Sequence, residues 1–256
     1  MRVVWWVNPL RERILRLTLR ITAGTGRARR ARRWHWQSLL VLVGCLVVLG
    51  SAATRAAEPA TIVFSLDFPA SDPEHYSITV QSNGRARYEC VAKISDDSDE
   101  RETYQTEFGF SDATRAQIFE LAAQSHYFSG KVDSGRRNLA FTGNKKLTYK
   151  DGQRETAAAY NFSSLPAVQQ LTTLFQSVSA TLEFGRRLAY YHRYQKLALD
   201  DELKHMEDEA KRGDLLELQA VRPVLQEIHD DSTVLNVVRA RAQRLIEKGN
   251  GAAPGR

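Results

Sequence analysis

Between Thr61 and Phe110 the apolar positions recur every second residue, and beyond Ser111 they recur at the helical period. That switch predicts strands first and helices after. Thr61 to Phe68 (TIVFSLDF) is a β-rich run closed by Pro69. Tyr76, Ile78 and Val80 then alternate with Ser77, Thr79 and Gln81, the pattern of a half-buried strand. Asn83-Gly84 predicts a hairpin with a type I′ turn, because both residues tolerate positive φ. Ala86, Tyr88 and Cys90 face inward on the return strand. An acidic loop, Ser95 to Glu102, separates this hairpin from a further alternating strand, Tyr104 to Phe110.

Ser111 is a good N-cap with Asp112 in the first turn, so a helix follows with Ile118, Phe119, Ala122 and Ala123 inward, ending near His126. Residues 129–144 read as a loop with a short strand at Leu139 to Phe141. A second hairpin comprises Lys146 to Lys150, the turn Asp151-Gly152, and Arg154 to Asn161. Ser164 and Pro166 open a second helix, with Leu165, Val168, Leu171, Leu174, Phe175, Val178 and Leu182 on its core stripe. Hairpin followed by helix occurs twice, which suggests an internal ββα repeat. The fold expected is α+β: an antiparallel sheet of hairpins with helices on one face, plus a C-terminal helical extension.

That extension reads as one helix from Gly185 to Arg212, stopped by Gly213. A second helix is capped by Asp214, directs Leu215, Leu218, Val221, Leu225 and Ile228 inward, and is kinked at Pro223. A third, capped by Asp231 or Ser232, carries Val234, Leu235, Val238, Ala242, Leu245 and Ile246. The partition expected is a leader at 1–57, a sheet domain at 58–184, the helical extension at 185–248 and an unstructured tail at 249–256.

Composition changes this picture at the N-terminus. The tract Arg27 to Trp36 (RARRARRWHW) precedes Ser38 to Ala53 (SLLVLVGCLVVLGSAA), whose apolar core of about 12 residues is shorter than a membrane-spanning helix. This is the pattern of an export signal with small residues for cleavage, so a periplasmic or extracellular location is expected, or a membrane anchor through residues 38–53. Too few apolar residues precede Cys45 for a lipoprotein cleavage box. The pI of about 9.4 belongs to this leader. Ten arginines against Glu12 give residues 1–37 a charge of +9, and Arg55 adds one. A total of +6 therefore leaves about −4 for residues 58–256. An acidic body lacks the basic footprint that nucleic acid requires. With Cys45 in the leader, Cys90 has no intrachain disulfide partner.

The phrases HYSITVQSNGRARYE, FSDATRAQIFELAAQSHYF and LTYKDGQ resemble exported bacterial domains of unknown function, over about 120 residues. The resemblance implies hairpins alternating with helices and carries over no catalytic residue.

Candidate chemistry is sparse, and no cofactor is implied. Asp201, His205 and Glu209 share a helix face in the run Asp200 to Glu209, yet interspersed Lys204 and Lys211 suit a solvated, ion-paired face better than a metal site. His75, near Asp67, Asp72 and Glu74, is a candidate acid–base group for an envelope hydrolase. Cys90 could act as a nucleophile with His126 or His75, but its apolar strand face suits an inert thiol. Tyr190, Tyr191 and Tyr194, beside His192, form an aromatic patch suited to a protein interface. The function expected is an exported, non-enzymatic interaction module with an envelope protein as partner. It would dock through an open sheet edge or through this tyrosine patch. The alternatives are the His75 hydrolase and a small-ligand carrier with an apolar cavity over the sheet.

Overall fold

The computed structural model describes residues 58–69, 71–94, 100–136 and 138–251, and the leader lies outside them. Among the described residues six strands form one sheet: β1 (Thr61–Asp67), β2 (His75–Gln81), β3 (Arg85–Lys93), β4 (Arg101–Gly109), β5 (Asn144–Lys150) and β6 (Glu155–Tyr160). Their order is β4-β3-β2-β1-β5-β6, and every neighbouring pair is antiparallel. β1 lies inside the sheet, with Phe64 opposite both Ile78 and Leu147. The expected ββα repeat therefore does not describe the topology. A four-stranded meander precedes the first helix, β4 has no counterpart in the second half, and β1 joins both hairpins.

Alternation decides the faces as expected, since successive strand residues point to opposite sides. Ile62, Phe64, Leu66, Ile78, Val80, Tyr88, Cys90 and Leu147 are buried, while Thr79, Arg87, Gln105 and Lys146 line the open face. Both hairpins form, the first with a different turn from that predicted and the second turning at Asp151-Gly152 as expected. Of the residues between β2 and β3 only Gly84 takes positive φ (89°), and its N–H donates to the Gln81 carbonyl. This is a three-residue loop ending in a left-handed glycine, not a type I′ turn. At the second hairpin Asp151 Oδ1 accepts from the N–H groups of Gln153 and Arg154 (both 2.7 Å). The strand expected at Leu139 to Phe141 is instead loop, its Phe141 ring set edge-on against Phe68 at 5.8 Å.

Helix α1 (Asp112–Gln124) is capped by Ser111, whose hydroxyl accepts from the Thr114 N–H. Ile118, Leu121 and Ala122 are its buried residues; Ala123 is exposed. His126, Tyr127 and Phe128 then make a left-handed turn (φ 52°, 53° and 64°), a costly conformation for non-glycine residues. It is held where Phe128 is buried and the Tyr127 carbonyl accepts from the Thr156 hydroxyl of β6.

Helix α2 (Pro166–Tyr194) crosses the sheet with Val168, Leu171, Phe175, Val178 and Leu182 buried, although Leu165 precedes it and is 37% exposed. The helix runs through the boundary expected at 184/185, because Phe184, Leu188 and Tyr191 continue the buried stripe into one common core. Gly185 permits this continuity: a Cβ there would stand 2.5 Å from Val221 Cγ1.

The helix expected to run on to Arg212 breaks at Gln195 (φ −143°), followed by a short 3₁₀ turn and α3 (Leu199–Arg212). The break lets Leu199, Leu203 and Met206 pack back into the core. Gly213 (φ 83°) ends α3 as expected. No helix starts at Asp214. Glu217 takes a left-handed conformation, a 3₁₀ turn spans Leu218–Val221, and α4 (Arg222–Asp230) begins with Pro223 in its first turn. The proline therefore starts this helix rather than kinking it, since a first-turn N–H has no intrahelical acceptor to lose. Leu215, Leu218, Val221, Leu225 and Ile228 are all buried as expected. Helix α5 (Asn236–Gly251) starts later than the predicted cap and extends into the region read as an unstructured tail. Among the described residues no helix is long and apolar enough to cross a membrane.

Candidate functional site

The tyrosine patch lies at the C-terminal end of α2, and the helix phase divides its members. Tyr194 is 62% exposed and its ring meets that of Tyr190 at 5.1 Å, four residues earlier on the same face. Tyr191 points about 100° away around the helix and is buried, so it belongs to the core and not to an interface. Other large apolar side chains stand exposed in the neighbouring segments, among them Leu235, which was expected on the apolar stripe of the last helix. Leu197, in the turn after α2, is 87% exposed, and Leu235 and Val237, where α5 begins, are 60% and 50% exposed.

An ionic clasp fixes both segments at this end. Asp231 Oδ2 meets His192 Nε2 at 2.9 Å and accepts from Lys196 Nζ at 2.6 Å; Lys196 Nζ also donates to Thr233 Oγ1 at 2.6 Å. Oδ1 accepts from the N–H and hydroxyl of Thr233. Hydrogen bonds from Lys196, then Thr233 and His192, hold the Asp231 carboxyl well below the usual carboxylate range. Asp231, expected as a helix cap, thus ties the end of α2 to the turn before α5.

A second cluster, invisible in the sequence pattern, lies between β3 and α2. Glu183 and Arg186 are each 4% exposed. Arg186 Nε donates to Glu183 Oε2 at 2.9 Å, and another guanidinium nitrogen donates to the Lys93 carbonyl at 2.8 Å. Glu183 Oε1 accepts from the Tyr88 hydroxyl at 2.6 Å and from Cys90 Sγ at 3.2 Å. Burial, then the Glu183 charge, pushes the Cys90 thiol up to about 12 and raises Tyr88 well above its usual range. Cys90 is therefore a protonated, inert thiol. Its partner is Glu183; neither His75 nor His126 bonds to it. This cluster joins β3 to α2. A cleft of about 280 Å³ beside it is lined by Asp72, Tyr76, Ser179, Glu183, Arg187 and Glu209.

His75 stands on the opposite side of the sheet from that cleft, because its neighbour Tyr76 takes the buried position. Its Nδ1 pairs with Asp67 Oδ1 at 2.5 Å, across the β1–β2 register, and both side chains are exposed. Asp72 instead accepts from the Lys93 N–H at 3.0 Å, and Glu74 pairs with Arg101 at 2.7 Å. The His75–Asp72 arrangement considered for hydrolysis is thus not assembled.

The acidic run on α3 is an ion-paired face. Glu202 meets Arg187 at 2.7 Å, Asp200 meets Arg241 at 2.9 Å, and Glu207 meets Arg241 and Arg244 at 2.8 and 2.7 Å. Among the described residues no three His, Cys, Asp or Glu side chains converge for a metal. Asp201 and His205 are exposed. Glu217 likewise acts locally, accepting from the Ser111 N–H and hydroxyl (both 2.8 Å) at the start of α1. No known family model matches the chain, and no curated protein matches it at a significant level.

Proposed function

We propose that this chain is an exported, non-enzymatic interaction module of the bacterial cell envelope, docking an envelope protein through the end of its helical region. One observation carries the reading: Tyr194, Leu197, Leu235 and Val237 stand in solvent on the two segments that the Asp231 clasp ties together. Large apolar side chains held outward on ordered elements suit a protein partner, since ordering the surface costs little on binding. The acidic body and the export-signal pattern of residues 27–53 support the envelope setting.

The rival readings find less support. His75 and Asp67 form an exposed pair on the open sheet face, whereas acid–base catalysis is served by a group held against a bound substrate. A carrier would need an apolar cavity over the sheet, and Phe64, Tyr88, Leu171 and Phe175 fill that space.

The test is a pull-down from envelope extract with the full chain, read by mass spectrometry against a Tyr194→Ser, Leu197→Ser double variant. The expected result is a specific envelope protein captured by the parent chain and lost from the variant. Equal recovery by both, or no specific protein from folded bait, would refute this docking site.

A further inference from the structure

The two edges of the sheet differ. β6 is covered along part of its length: Thr156 bonds to the Tyr127 carbonyl, and Asp133 bridges to Ser163 just beyond the strand. β4 pairs with β3 and, among the described residues, with no other strand. It is nine residues long and pairs with β3 in unbroken register from Arg101 to Gly109. Natural edges are commonly blunted by proline, charged side chains or a bulge. β4 (RETYQTEFG) has no proline, lysine or bulge, and its charges are Arg101 and Glu107 on the outer face and the exposed Glu102 on the inner one. Its inner-face side chains Tyr104, Thr106 and Phe108 are only half-buried.

We infer that β4 pairs with β4 of a second copy of this chain, antiparallel about a two-fold axis at Tyr104. The charges select this register. Centring on Tyr104 sets Arg101 opposite Glu107 on the outer face, and symmetry repeats the pair. It also sets Thr103 opposite Gln105 and Tyr104 opposite its symmetry mate. Centring on Gln105 would instead set Glu102 opposite Phe108, and centring on Thr103 would set Glu102 opposite Tyr104. Neither puts opposite charges in register. Glu107 has no ion pair among the described residues, and Arg101 uses one nitrogen on Glu74, which leaves further donors for a second carboxylate. The product is a continuous twelve-stranded sheet, with the half-buried Tyr104 rings facing each other beneath it. Pairing through β4 does not depend on docking at the helical end.

Sedimentation of the full chain at micromolar concentration tests it, with Arg101→Glu, Glu107→Arg and the double swap. Each single change puts like charges opposite one another twice and should weaken dimerisation about tenfold. The double swap restores the pairing and should recover the parent constant. These positions are exposed, and a thermal melt confirms folding. As an independent check of register, Tyr104→Cys should form an oxidised symmetric dimer. A monomeric parent chain, a dimer indifferent to the single changes, or a double swap no better than the singles would overturn the proposal.

Discussion

Arg186→Met should lower the unfolding free energy by about 3–5 kcal/mol, the cost of breaking a buried ion pair by removing one partner. Glu183 would keep its donors from Tyr88 and Cys90 but lose its counter-charge at a position only 4% exposed. The Lys93 carbonyl would also lose the hydrogen bond that Arg186 donates. Urea unfolding followed by circular dichroism measures the effect. Glu183→Gln combined with Arg186→Met should recover much of the loss, because a neutral amide still accepts from Tyr88 and leaves no isolated charge. A single variant within about 1 kcal/mol of the parent, well short of the cost of a stranded buried charge, would show that the pair does not hold β3 to α2.

Phe175→Ala should cost about 3–5 kcal/mol, as for other large-to-small changes at buried aromatic positions. Its ring is fully buried and stacks on Phe64 at 5.1 Å, with the planes 4° apart. Phe64 belongs to β1, which joins the two hairpins, so this contact fastens the long helix to the middle of the sheet. Leu165→Ala, just before the same helix, is the control. Leu165 fits the apolar period but is 37% exposed, and its loss should stay within about 0.5 kcal/mol. The same urea titration separates the two, and equal costs would contradict the packing described.

Strands and their faces were legible because a half-buried sheet leaves a two-residue period that neighbouring residues reveal without tertiary knowledge. Tyr76, Ile78 and Val80 are buried for that reason. The Ser111 cap was legible for a similar reason, since its chemistry is local. Glu183 and Arg186 were not. A charged pair inside an apolar stripe reads as solvated until Tyr88 and Cys90, more than ninety residues away, supply partners. The break at Gln195 has no glycine or proline to mark it, and Lys196 and His192 hold the turn through distant Asp231. At the candidate site the sequence drew attention to the end of α2 but could not set its phase. Tyr191 turned inward, while Leu197 and Leu235 turned outward. Whether a helix residue is exposed depends on which neighbour covers it, and α5 and the Asp231 turn are distant in sequence.

The interaction reading is tested most directly by a photo-crosslinking amino acid placed at Leu197 in the full chain, expressed in its native cells, with Val63 on the open sheet face as control. The account predicts a discrete adduct with one envelope protein from position 197, absent from position 63. No adduct at 197, or the same adducts from both positions, would contradict it.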